Sequence, residues 1–121
     1  MSEKSKKYDL EERLLEFALR IIVVVEKVPD NKICNHLGGQ LLRSGTSPAL
    51  NYGEAQAAES RKDFIHKFKV ILKELRETVI CLTIFHRMSL LLDTTLIAEN
   101  RELIAIFMKS INTAKSNERD K

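Results

Sequence analysis

The chain has 121 residues, a length that suits one domain with one buried core. Its composition is 44% hydrophobic and 31% charged, with four Gly and two Pro, which excludes a disordered or fibrous chain and argues against an all-β fold rich in turns. The formal net charge of +3 is ordinary for a soluble protein but unevenly spread, since residues 61–92 carry seven basic and three acidic side chains while the flanking stretches nearly balance.

The first predicted helix starts at Asp9, which has capping-box spacing with Glu12. Leu10, Leu14, Phe17, Ile21, Val24 and Val28 then recur in steps of three and four along one face, and Pro29 ends the segment. A second apolar row, Leu15, Ala18, Ile22 and Val25, makes the stripe wider than a bundle seam requires. Such a stripe suits either a subunit interface or a deeply buried helix. The second segment, residues 31–58, is helical by Ile33, Leu37, Leu41 and Leu42 but weakened by Gly38, Gly39, Gly45 and Pro48. Pro48 is expected to kink it or divide it in two. The small residues Gly53, Ala55, Ala57 and Ala58 are candidates for close backbone approach.

The third helix, residues 61–88, carries the clearest pattern. Ser60 can cap it, with Asp63 three residues on, and Phe64, Phe68, Ile71, Leu75, Leu82 and Phe85 line one face beside Ile65, Leu72 and Val79. After residues 89–93, a fourth helix carries Leu96, Leu103, Phe107 and Ile111, with Ile97 and Ile104 adjacent. The fold class these segments predict is all-α, an antiparallel up-and-down four-helix bundle formed by a single domain spanning 1–121, with residues 1–8 and 115–121 frayed.

Opposite the third helix's apolar seam, Lys62, His66, Lys69, Lys73 and Arg76 form a basic ladder spaced four, three, four and three. A ladder of this kind can track successive phosphates of RNA or DNA. The competing reading is a solvated helix face partly neutralised by Glu74 and Glu77. Tyr8 and Tyr52 are isolated, so no stacking platform for single strands is evident.

Other chemistries find little support. Cys34 with His36 and Cys81 with His86 have spacings unsuited to one metal ion, and neither Cys-x-x-Cys nor His-Glu-x-x-His occurs. The cysteines are expected to be small core residues. Ser44, Ser47 and Ser60 lack a Gly-x-Ser-x-Gly setting, and no Gly-rich loop is placed to cradle phosphate. The expectation is therefore no catalytic residue, no cofactor, no metal and no small-molecule substrate. Asn51 and Glu54, three apart after Pro48, are read as a structural polar pair that satisfies carbonyls freed by the proline or joins an interface network. The longest apolar run, residues 21–25, is far short of the roughly 20 residues a membrane span needs, and the amino terminus lacks a signal-peptide core. A cytoplasmic, soluble protein with no membrane partner is expected.

One set of residues carries a resemblance. Arg43, Ser44 and Ser47, then Asn51 and Glu54, then Asp63 and Phe64, then Lys73, Glu74, Glu77 and Thr78 match the pattern Arg-Ser-x-x-Ser, Asn-x-x-Glu, Asp-Phe and Lys-Glu-x-x-Glu-Thr. In this the chain resembles the bacterial four-helix-bundle proteins related to those encoded by intervening sequences of the 23S ribosomal RNA gene. The resemblance implies an antiparallel four-helix bundle that assembles into a ring of five copies, without implying an established activity. One related branch, the accessory proteins of diversity-generating retroelements, is a basic pentameric barrel that binds nucleic acid and a reverse transcriptase. Two departures stand out. Many members have Trp-Leu where this chain has Ile80-Cys81-Leu82, and many have Ile where Pro48 stands. The combined expectation is a non-enzymatic homo-oligomer, a pentamer by resemblance, that binds a macromolecular partner such as RNA or DNA. The alternative is a structural or protein-interaction module with no nucleic-acid role.

Overall fold

A computed structural model describes the backbone of residues 3–119 and the side chains of residues 10–117. Four helices follow in order: α1 (Glu3–Lys27), α2 (Lys32–Gln56), α3 (Arg61–Arg87) and α4 (Thr95–Arg119). Each neighbour in sequence is a neighbour in space, and α4 returns to α1. Short connections between long adjacent helices leave only the antiparallel arrangement, so the chain is an up-and-down bundle. The backbones of α1 and α3 do not approach each other, and the two helices stand at opposite corners with their side chains sharing the core between them.

The core is the seam that the periodicity marks out. Leu14, Phe17 and Ile21 of α1 meet Cys34 and Leu41 of α2, Phe68, Ile71, Leu75, Leu82 and Phe85 of α3, and Leu96, Leu103 and Phe107 of α4. At one end Phe68 stacks close to Phe64, with centroids 4.2 Å apart, and meets Phe107 edge-on at 4.9 Å. Tyr52 completes this cluster at 6.1 Å from Phe68 and 6.2 Å from Phe107. Its burial pushes the Tyr52 phenol above the usual tyrosine range. Both cysteines are free and buried, as small core residues are.

Local chemistry sets the helix ends. The Asn31 side chain accepts from the Cys34 amide at 2.8 Å and so caps α2. Ser60 does the same for α3, its hydroxyl accepting from the Asp63 amide at 3.0 Å. α3 ends in a Schellman turn. The Leu90 amide donates back to the Phe85 carbonyl and the Ser89 amide to that of His86, with Ser89 left-handed at φ 63° where glycine is usual. His86 Nδ1 lies 2.8 Å from the Leu91 carbonyl oxygen and ties the loop down.

Three expectations need correction. α1 starts at Glu3, not Asp9, because residues 3–8 hold helix-forming Glu and Lys and no breaker; the Asp9 half of the expected capping box lies outside the described side chains. α2 is not divided, since it runs unbroken through a buried Pro48. The missing Pro48 amide costs one bond to the Ser44 carbonyl, and packing on both sides of α2 holds the helix across the gap. Close approach occurs at Gly45, not Gly53. A Cβ on Gly45 would sit 2.7 Å from Ile21 Cγ1, whereas one on Gly53 would meet nothing within 4 Å. At the chain ends, residues 3–8 and 115–119 continue their helices, while residues 1, 2, 120 and 121 lie outside those described.

Candidate functional site

The outer face of α3 carries the basic ladder. Lys62, His66, Lys69, Lys73 and Arg76 are all exposed and rise over about 21 Å of helix. Arg76 donates to the Met108 sulfur of α4 at 3.5 Å, which lays its guanidinium along the surface. Lys62, Lys69 and Lys73 make no ion pair among the described residues.

The glutamates expected to neutralise this ladder are engaged elsewhere. Glu74 and Glu77 point toward α2, where Arg43 Nη1 donates to Glu74 at 2.8 Å and Nη2 to Glu77 at 2.9 Å. The hydrogen bond to Glu77, followed by the charge of Glu74, raises the Arg43 guanidinium above its ordinary value. Behind this fork, Thr78 Oγ1 lies 2.9 Å from Ser44 Oγ and 2.8 Å from the Glu74 carbonyl oxygen. Each hydroxyl has one proton. When Thr78 gives its own to the carbonyl, Ser44 must donate to Thr78. Ser44, Glu74 and Thr78 are all buried.

Arg43, Ser44, Glu74, Glu77 and Thr78 are therefore one cluster, and its role is to join α2 to α3. Other motif residues stand apart from it. Glu54 accepts from Lys67 at 3.4 Å, and Asn51 and Ser47 make no side-chain hydrogen bond among the described residues. Asn51 and Glu54 thus share no hydrogen bond among the described residues. Asp63 belongs to the α3 cap through its amide, and Phe64 to the aromatic cluster. At the Ile80-Cys81-Leu82 departure, Leu82 fills the core, Cys81 is buried and Ile80 faces outward. Burial pushes the Cys81 thiol above its ordinary value. Among the described residues, no group of three or more His, Cys, Asp or Glu is placed to hold a metal ion. No helix there is long and apolar enough to cross a membrane.

Two features escaped the sequence reading. Asn100 is fully buried in α4, donating from Nδ2 to the Leu75 carbonyl at 3.0 Å while its Oδ1 has no partner among the described residues. The signal was present, since Asn100 falls between Leu96 and Leu103 on the apolar face. Across the α1–α4 edge, Arg13 donates to Glu99 at 2.7 and 3.1 Å and meets Glu102 at 3.0 Å. Arg20 reaches Thr95 at 2.7 Å and Asp93 at 3.3 Å.

The α1 stripe also resolves. Its first row is in the core, while Leu15, Leu19 and Val23 remain exposed and Ala18 and Ile22 half-buried. α1 is not a deeply buried helix.

The architecture and its surface define an all-α bundle with a basic outer helix and uncovered apolar rows. The sequence pattern of the 23S rRNA-intervening sequence protein family matches residues 6–113, and this chain belongs to that family. A crystal structure of a protein with unknown function from the S23 ribosomal protein family, from Bacteroides thetaiotaomicron VPI-5482, is similar to it with a TM-score of 0.79. The two are 29% identical, over 88% of this chain and 98% of the other. No functionally curated protein matches.

Proposed function

We propose that this chain is a non-enzymatic, self-associating helical bundle that binds RNA or DNA in the cytoplasm through the outer face of α3. The reading rests on one observation. Lys62, Lys69 and Lys73 have no carboxylate partner among the described residues, and Arg43 holds Glu74 and Glu77, the acids within reach of Lys73, on the α2 side. An unneutralised row of cations on a rigid helix attracts a polyanion without reading its sequence. Self-association is supported by the apolar rows this chain does not cover, and a ring of five copies is the assembly the family resemblance favours.

The test is affinity for duplex RNA and DNA, followed by fluorescence anisotropy over a range of salt. Replacing Lys69 and Lys73 together with Ala is expected to weaken binding and to reduce the magnitude of the salt slope by about two. A slope equal to that of the wild type removes this face from the interface. A second reading, a protein-interaction module without nucleic acid, is favoured by the change in the same face from basic to apolar at Ile80 and Ile84.

A further inference from the structure

Two exposed rows on different helices have matching shape and opposite charge. On α1, Leu15, Leu19 and Val23 recur every four residues; on α3, Ile80, Ile84 and Met88 do the same. All six are between 38% and 61% exposed. Each row covers roughly 12 Å of helix, and rows of this spacing are the ridges that interdigitate in the commonest helix packing.

Charge distinguishes the two rows. The α1 row is flanked by Glu12, Glu16 and Glu26, all exposed and without an ion pair among the described residues, against one cation, Lys27, at its C-terminal end. The arginines of α1 do not offset them, because Arg13 and Arg20 turn to the acids of α4 and its approach loop. The α3 row is flanked by Lys73, Arg76 and Arg87, while Glu77 is held by Arg43. One row is therefore grease with an acidic rim, and the other grease with a basic rim.

Because α1 and α3 occupy opposite corners of the bundle, one chain cannot bring its two rows together. We infer that the α1 row of one copy docks on the α3 row of the next, a head-to-tail contact. Pairing like rows would set acid against acid or base against base, so a two-fold contact is disfavoured. A head-to-tail contact leaves one unused row of each kind at the ends, and assembly continues until rotation closes a ring. This inference rests on the self-association half of the proposed function and assigns the surfaces that carry it.

The experiment uses two full-length variants, Leu19→Lys and Ile84→Lys, each at an exposed position, with mass measured by light scattering. Wild type is expected to be an assembly of several 13.9 kDa chains, and each variant alone a monomer. Mixed in equal amounts, the variants are expected to form a two-chain complex and nothing larger, because only one junction joins an intact α1 row to an intact α3 row. If one variant alone still assembles like wild type, or if the mixture stays monomeric, the pairing is wrong although self-association stands. Monomeric wild type overturns both. Should either lysine variant lose its helical circular dichroism, Leu19→Gln and Ile84→Gln give the same reading without the added charge.

Discussion

Between α2 and α3 some of the polar contacts lie inside the bundle, beneath surface ion pairs; between α1 and α4 they lie on its rim. The first seam hides the Ser44–Thr78 hydroxyl pair and the Glu74 carboxylate, with Arg43 closing over them. At the second, the backbones approach over only a short stretch, and partly exposed ion pairs from Arg13 and Arg20 span the gap. A buried hydroxyl that loses its partner has no water to replace it, whereas a rim ion pair exchanges with solvent at little cost. One seam thus has a buried hydroxyl pair that is specific and insensitive to salt, and the other has only polar contacts that are weak and salt-dependent.

Three substitutions sharpen this contrast when unfolding by urea is followed at one fixed protein concentration, since assembly also contributes to stability. The largest effect belongs to Thr78→Val. It keeps the shape and strands the Ser44 hydroxyl, for an expected loss of about 1–3 kcal/mol that adding Ser44→Ala largely restores. No recovery in the double variant would mean that the hydroxyls do not act as a pair. At the rim, Arg13→Ala is expected to cost about 0.5–1 kcal/mol in dilute buffer and less in concentrated salt. A loss as large as that of Thr78→Val, and unmoved by salt, would erase the distinction between the seams.

The smallest effect concerns acid. Asp93 accepts from the Thr95 hydroxyl and amide, and those bonds, more than nearby Arg20, hold its carboxyl below its ordinary 3.8. A depressed folded value means that the contribution is complete above 3.8 and is lost as pH falls through the lower folded value. Wild type and Asp93→Asn should therefore differ slightly at neutral pH and converge in acid. A gap that widens on acidification contradicts that assignment.

Much of the bundle was legible in the sequence because its signals are local. Ser60 announces α3, and the step from Phe64 to Phe85 names the face that α3 buries. Gly45 and Pro48 misled for the same reason. Their helix-breaking character is a property of a lone helix, while here Gly45 is the space that Ile21 needs and neighbours brace α2 on both sides of Pro48. The ladder residues were legible as a row, but their freedom from acid was not. For Lys73 it depends on Arg43 reaching partners 31 and 34 positions away, a distance no local pattern spans. Leu15, Ala18, Ile22 and Val25 gave a wide stripe that two explanations fitted, and only the placement of the other helices shows that α1 is not deeply buried.

The lone amide of Asn100 has a consequence for how α4 settles. Slide that helix by one turn and most of its greasy neighbours would find equivalent berths, since Leu, Ile and Phe are forgiving of exchange. The amide would not, because it would leave Leu75 and strand its nitrogen beside an oxygen that already has no partner among the described residues. A single misfit side chain thus acts as a keyway, fixing the alignment of a surface that oil alone would leave free to slip.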